Sequence, residues 1–140
     1  MNYFYLLSQE GSKQELSFSS QEILRSKIIA LDGLKQVLLV FDFENANNII
    51  CINMAEIKNC TVEKKYDSIL IGTERKTIAE PHLRSIDLMF AFKNNAEPVS
   101  VSFYDSNVNS IYEMSELEVK AKTWEAILSK MIFTELKVSA

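Results

Sequence analysis

Apolar and polar residues alternate along much of this chain, and the alternation is clearest between residues 85 and 104. Ile86, Leu88, Phe90 and Phe92 interleave with Ser85, Asp87, Met89 and Ala91, and Val99, Val101 and Phe103 interleave with Ser100, Ser102 and Tyr104. A period of two with one wet face predicts an antiparallel hairpin. Residues 93–98, with two Asn and a Pro, supply its turn. Residues 36–43 are apolar on both parities in the middle, which predicts a strand buried on both sides. Residues 44–48 read as a loop, residues 49–52 as the returning strand and residues 54–57 as a short connection. Residues 60–66 and 69–71 predict two further strands, the second ended by Gly72. Residues 73–82 are polar, contain Pro81 and predict a long loop.

The two ends of the chain carry other periods. Residues 2–8 and 14–19 predict a hairpin turning at Glu10, Gly11 and Ser12, with Tyr3, Tyr5 and Leu7 on one face. Over residues 20–32 the apolar positions Ile23, Leu24, Ile28 and Leu31 fall at helical spacing. Ser19 or Ser20 is placed to cap this stretch and Gly33 to end it, so a helix is predicted. The β-branched pair Ile28-Ile29 leaves a strand as the alternative. A long helix closes the chain over residues 115–133. Leu117, Ala121, Trp124, Leu128 and Met131 form its apolar stripe. Ser115 with Glu118, or Ser110 with Glu113, forms its capping box. Glu116 with Lys120 and Glu118 with Lys122 are spaced as ion pairs on its wet side. Residues 134–140 read as a frayed tail.

The fold class predicted is α+β and mainly antiparallel β, a small bent barrel or sandwich of about seven strands with a C-terminal helix. Strands do not alternate with helices, which argues against a parallel, doubly wound sheet. The 140 residues are about one domain's worth of chain. The division expected is 1–33 for the hairpin and helix, 34–104 for the strands and 115–133 for the final helix.

At this point the chain resembles the pleckstrin-homology-like family, and its bacterial members in particular. The matching pieces are the strands from Gln36 to Tyr104, the stretch Val101-Ser102-Phe103-Tyr104-Asp105, and the helix around Lys122-Thr123-Trp124-Glu125-Ala126-Ile127. The resemblance covers roughly residues 36–133 and implies a partly open barrel plugged by a helix with an inward tryptophan, a fold that commonly binds peptides. Phosphoinositide-binding members carry Lys and Arg in a loop between early strands. Here residues 44–48 have no basic residue and residues 10–13 only Lys13, so headgroup binding is not implied.

Charge narrows the partners further. Fifteen Lys and Arg stand against 19 Asp and Glu, a net charge of −4, and no basic run is longer than a pair such as Lys64-Lys65. A grip on nucleic acid phosphates or on an anionic membrane surface needs a basic patch, so neither partner is expected. The N-terminus shows no basic start and only a short apolar run, and no stretch approaches the ~18 apolar residues of a membrane span. The compartment expected is therefore the cytoplasm, with Cys51 and Cys60 as free thiols.

Few residues can be read as chemistry. His82 is the single histidine and reads as a solvated loop residue. A nucleophile set of Cys51 or Cys60 with His82 and Asp87 can be written down, but Cys51 lies within Ile49-Ile50-Cys51-Ile52, which reads as an inert core strand. Glu113 and Glu116 sit where a helix N-terminus favours acids in any case. Three glycines, at 11, 33 and 72, cannot build a phosphate loop. Trp124 reads as a core plug. No catalytic, cofactor-binding or metal residue is assigned, and no cofactor is expected.

The function expected is a non-enzymatic binding or scaffolding domain. Its partner is a protein segment or a second copy, held at a sheet edge or in the groove beside the last helix. Tyr3, Phe4 and Tyr5, on both faces of the first predicted strand, either form one candidate edge or are covered by another layer of the same chain. The alternatives are an apolar-ligand binder lined by Phe41, Phe90 and Phe103, and a subunit of a larger assembly such as a secretion chaperone or mobile-element protein.

Overall fold

A computed structural model describes the backbone of residues 9–13, 16–43, 48–73 and 76–139, and their side chains except at 48, 68–81 and 133–139. Seven antiparallel strands form two sheets, and a long helix follows them. The class is α+β, and the strands are not closed into a single barrel. The chain's contacts divide it into two compact units, residues 1–55 and 56–140.

The first unit holds a four-stranded meander of β1 (Ser20–Ile23), β2 (Lys27–Asp32), β3 (Val37–Asp42) and β4 (Asn48–Asn53). The helix expected over residues 20–32 is instead the hairpin β1–β2, in register from Ser20 opposite Leu31 to Ile23 opposite Ile28. Its second strand is buried on both sides. Ile28 and Ala30 lie on one face, Ile29 and Leu31 on the other, and all four are at most 3% exposed. With no polar residue to mark the alternation, an all-apolar run satisfies helical spacing by accident. β-branched Ile28 and Ile29 favour the strand. Gly33 ends no helix. It lies in the β2–β3 turn, where Asp32 Oδ1 accepts the amides of Leu34 (3.0 Å) and Lys35 (2.9 Å). Asp32 Oδ2 accepts the amide of Ser17 at 2.9 Å, tying the incoming chain to the same turn.

The turn expected at Glu10, Gly11 and Ser12 is helical over residues 9–13. A Cβ at Gly11 would stand 2.8 Å from Phe18 Cε2, so a larger residue there would have to displace the Phe18 ring. Leu16 and Phe18 pack on the cluster of Ile28, Ala30, Leu39 and Phe41 on one face of the sheet. The strand expected over residues 2–8, with Tyr3, Phe4 and Tyr5, lies outside the described residues, as does most of the 44–48 loop. The connection expected at 54–57 is a 3-10 turn over Met54–Glu56.

The second unit holds β5 (Ile57–Thr73), β6 (Lys76–Phe92) and β7 (Val99–Asp105), again a meander, and the C-terminal helix Met114–Ser139. The two strands expected at 60–66 and 69–71 are one, and the loop expected over 73–82 is mostly the start of β6. Thr73 pairs with Lys76, so only residues 74 and 75 connect them. Backbone register holds this polar stretch in a strand, and hydrophobic pattern alone does not reveal it. Pro81 fits because β6 pairs with β7 only from Ser85 to Phe90, so at Pro81 one side of the strand has no partner among the described residues.

The 85–104 hairpin is present, with one change of face. The register passes from Ile86–Tyr104 to Asp87–Ser102, so Phe103 is an extra residue in β7. This bulge moves Tyr104 from the expected wet face to the apolar one, and it is 3% exposed. The helix presents Leu117, Ala121, Trp124, Leu128 and Ile132 as its buried stripe, with Ile132 in place of Met131. Its start follows Ser110, whose Oγ accepts the amide of Tyr112 at 3.2 Å in the preceding 3-10 turn. The tail expected from residue 134 is helical to Ser139.

Candidate functional site

The outer edge of β5 is the feature that sets the second unit apart. The strand order β5-β6-β7 leaves β5 at the rim, with backbone groups turned away from β6. Such an edge is a template for another strand unless it is covered. Over its first half the C-terminal helix covers it with side chains. The Glu125 carboxylate accepts the amide of Val62, and Ser129 Oγ donates to the carbonyl of Cys60 at 3.3 Å. Glu125 and Ser129 are one helical turn apart, and Cys60 and Val62 are two strand residues apart, so neighbouring side chains reach successive outward groups. Lys64 completes the seam with an ion pair to Glu118. That contact holds the Lys64 ammonium above its ordinary pKa and the Glu118 carboxyl below its own.

From Tyr66 to Thr73 no strand pairs with the outer edge of β5 among the described residues. Tyr66, 56% exposed, marks the start of this open stretch. The residues with outward backbone groups follow from the covered half. Val62 donates away from β6, so even-numbered β5 residues face out, and no register shift inserts a residue in β5 after Asn59. Tyr66, Ser68, Leu70 and Gly72 therefore offer their N–H and C=O groups to the open side.

The opposite edge of the same ribbon is different. Pro81 stands opposite Ser68, an outward-facing β5 residue, so the Pro81 nitrogen also points away from β5. A position that needs a donor for strand addition has none there.

The other candidate residues are dispersed. His82 lies in β6 opposite Asp67, and it is exposed on a strand rather than in a loop. Cys60 pairs with Phe90, so seven strand residues, about 23 Å of rise, separate it from the His82 level. The structure thus does not assemble Cys60, His82 and Asp87. Burial first, then the nearby Glu125 charge, pushes the Cys60 thiol up to about 12. Cys51 is exposed on β4 rather than in the core, and neither cysteine forms a disulfide. Asp87 is the carboxylate that sequence reasoning placed on a wet face and the structure buries, at 4% exposure. Lys65 Nζ lies 3.2 Å from Asp87 Oδ2, Ser85 Oγ donates to the same oxygen at 3.3 Å, and Oδ1 has no hydrogen-bond partner among the described residues.

Glu113 accepts from Asn109 Nδ2 at 2.9 Å, and Glu116 pairs with Lys120 at 3.6 Å, so each has a local structural contact. Phe41 belongs to the core cluster of the first unit, whereas Phe90 and Phe103 are buried in the second. Among the described residues no group of three or more His, Cys, Asp and Glu is placed to hold a metal ion, and no helix is long and apolar enough to cross a membrane.

No family profile, no curated protein and no solved structure gave a match to this chain. The arrangement of four antiparallel strands, three more and a C-terminal helix with buried Trp124 is compatible with a pleckstrin-homology-like fold.

Proposed function

We propose that this protein is a non-enzymatic interaction domain that takes an extended protein segment onto the outer edge of β5, from Tyr66 to Thr73. The observation that supports this is the contrast along one strand. Side chains of the C-terminal helix satisfy the edge at Cys60 and Val62, and from Tyr66 on no strand pairs with it among the described residues. Backbone hydrogen bonds to the outward groups supply affinity in strand addition, and alternate side chains supply selectivity. The same reading takes the fold to be of the pleckstrin-homology-like kind.

The test is affinity capture from the protein's own cells with the full chain, comparing wild type with Ser68→Pro. The substitution removes an outward donor and leaves the β5–β6 ladder intact. A partner recovered with wild type and lost with Ser68→Pro supports the proposal. Equal recovery with both overturns it.

A further inference from the structure

We infer that the segment occupying the open β5 edge is the same edge of a second copy of this chain, joined about a two-fold axis at Leu70. This rests on the edge reading above and names its occupant. Three features of the ribbon carry it.

The first is that only one edge of the ribbon is open to addition. Pro81 places a missing donor on the outer side of β6, and the β5 side from Tyr66 to Thr73 contains no proline. Native sheets use proline in this way to blunt an edge, and its restriction to one side leaves the other as the joining side.

The second is that the β5 segment complements itself. Antiparallel pairing centred on Leu70 sets Leu70 against its own copy, Ile69 against Ile71, Ser68 against Gly72 and Asp67 against Thr73. No like charges meet, and the β-branched residues pair with each other, as stable cross-strand neighbours do. The outward residues Ser68, Leu70 and Gly72 pair with Gly72, Leu70 and Ser68 of the copy, forming about six interchain hydrogen bonds. Such an interface is isologous and closes at two chains, so it does not propagate into a fibre.

The third is the state of the ribbon alone. From Tyr66 to Thr73 two strands pair and no third joins them among the described residues, an arrangement of marginal stability in water. Joining two ribbons yields four strands, above the three that independent stability requires.

Sedimentation velocity of the full chain across a hundredfold concentration range tests this. Wild type is expected to move from 16.0 kDa to twice that mass as concentration rises. Leu70→Pro removes the donor at the two-fold axis without breaking the pairing to β6, and it is expected to stay monomeric with an unchanged far-ultraviolet dichroism spectrum. Ser68→Pro, away from the axis, is the second variant and is expected to weaken dimerisation at least tenfold. Wild type that remains monomeric throughout, or folded proline variants that dimerise like wild type, would overturn the inference. A monomeric wild type that still captures a different protein, lost in Ser68→Pro, would overturn the second copy as occupant while leaving the edge reading in place.

Discussion

The Glu125 carboxylate accepts the backbone amide of Val62 across 63 residues of sequence, so a helix side chain does for β5 what a neighbouring strand would otherwise do. With Ser129 on the carbonyl of Cys60, this contact closes the first half of an edge whose second half has no paired strand among the described residues. The boundary between the two halves, near Lys64 and Tyr66, defines the proposed site.

Removing the helix acceptor should destabilise the fold. Glu125→Ala leaves the Val62 amide without its charged partner, a loss of about 1.5–3 kcal/mol. Ser129→Ala should cost about 0.5–1.5 kcal/mol, because the lost bond is neutral. The two act on neighbouring groups of one strand, so the double variant should not show a simple sum. Urea unfolding of the three variants measures this. Unchanged midpoints would show that the helix does not secure the edge.

Asp32 should make stability fall in acid. The Lys35 amide, then the Ser17 amide, hold its carboxyl below the ordinary value of 3.8, outweighing the opposing effect of burial. A carboxyl with a depressed folded pKa contributes stability above its unfolded pKa and loses it as pH falls through the folded one. Asp32→Asn keeps an oxygen for the turn but cannot accept from Ser17 with its amide nitrogen. Stability of the variant should therefore depend less on pH below about 4 than that of wild type. Thermal midpoints between pH 2 and pH 6 give the comparison, and parallel curves would contradict it.

The two thiols should react at very different rates. Cys51 is exposed and Cys60 is buried with its pKa pushed up to about 12, so one thiol per native chain should react with a maleimide near neutral pH and two in denaturant. A raised thiol pKa stabilises the fold below the unfolded value and is lost as pH rises, so Cys60 should also weaken the fold from about pH 9 upward. Glu125→Ala removes one cause of the shift and should speed Cys60 labelling. Rapid native labelling of both thiols would contradict this account.

The bulge at Phe103 should matter more than a surface insertion. Phe103 is 2% exposed, and its extra place in β7 sets Tyr104 on the apolar face. Phe103→Ala should cost about 3–5 kcal/mol as a large-to-small core change. Trp124 is buried in the same unit and is the single tryptophan, so its fluorescence reports the transition. A loss below about 1 kcal/mol would show that Phe103 does not anchor the bulge.

Much of this fold is legible in side-chain pattern where one face is wet. Residues 85–104 and 114–132 show their periods because Ser100, Ser102, Glu116 and Lys120 mark the polar side. The pattern fails where that mark is missing. β2 is buried on both faces, so Ile28 to Leu31 read as helix as readily as strand. Residues 76–82 are polar, and their strand is fixed by pairing with β5. The parity of Tyr104 depends on a one-residue register shift that composition does not record. The candidate site shares that limit. A sheet edge was a foreseeable kind of site, but the open edge of β5 is a property of backbone groups, and its position emerges only when the Glu125–Val62 contact shows which β5 residues face outward.

In the proposed mode of binding, the outward backbone groups of Tyr66, Ser68, Leu70 and Gly72 form the edge that takes the added strand. Residue-resolved amide hydrogen exchange of the full chain at low and high concentration tests it most directly. In the monomer the amides of Asp67, Ile69 and Ile71, which face β6, should be protected and those of Ser68, Leu70 and Gly72 should exchange freely. At high concentration the even-numbered amides should gain at least tenfold protection while the odd-numbered ones stay as they were. If Ser68, Leu70 and Gly72 exchange equally fast at every concentration and in the presence of captured partner, no strand is added there and the account is wrong.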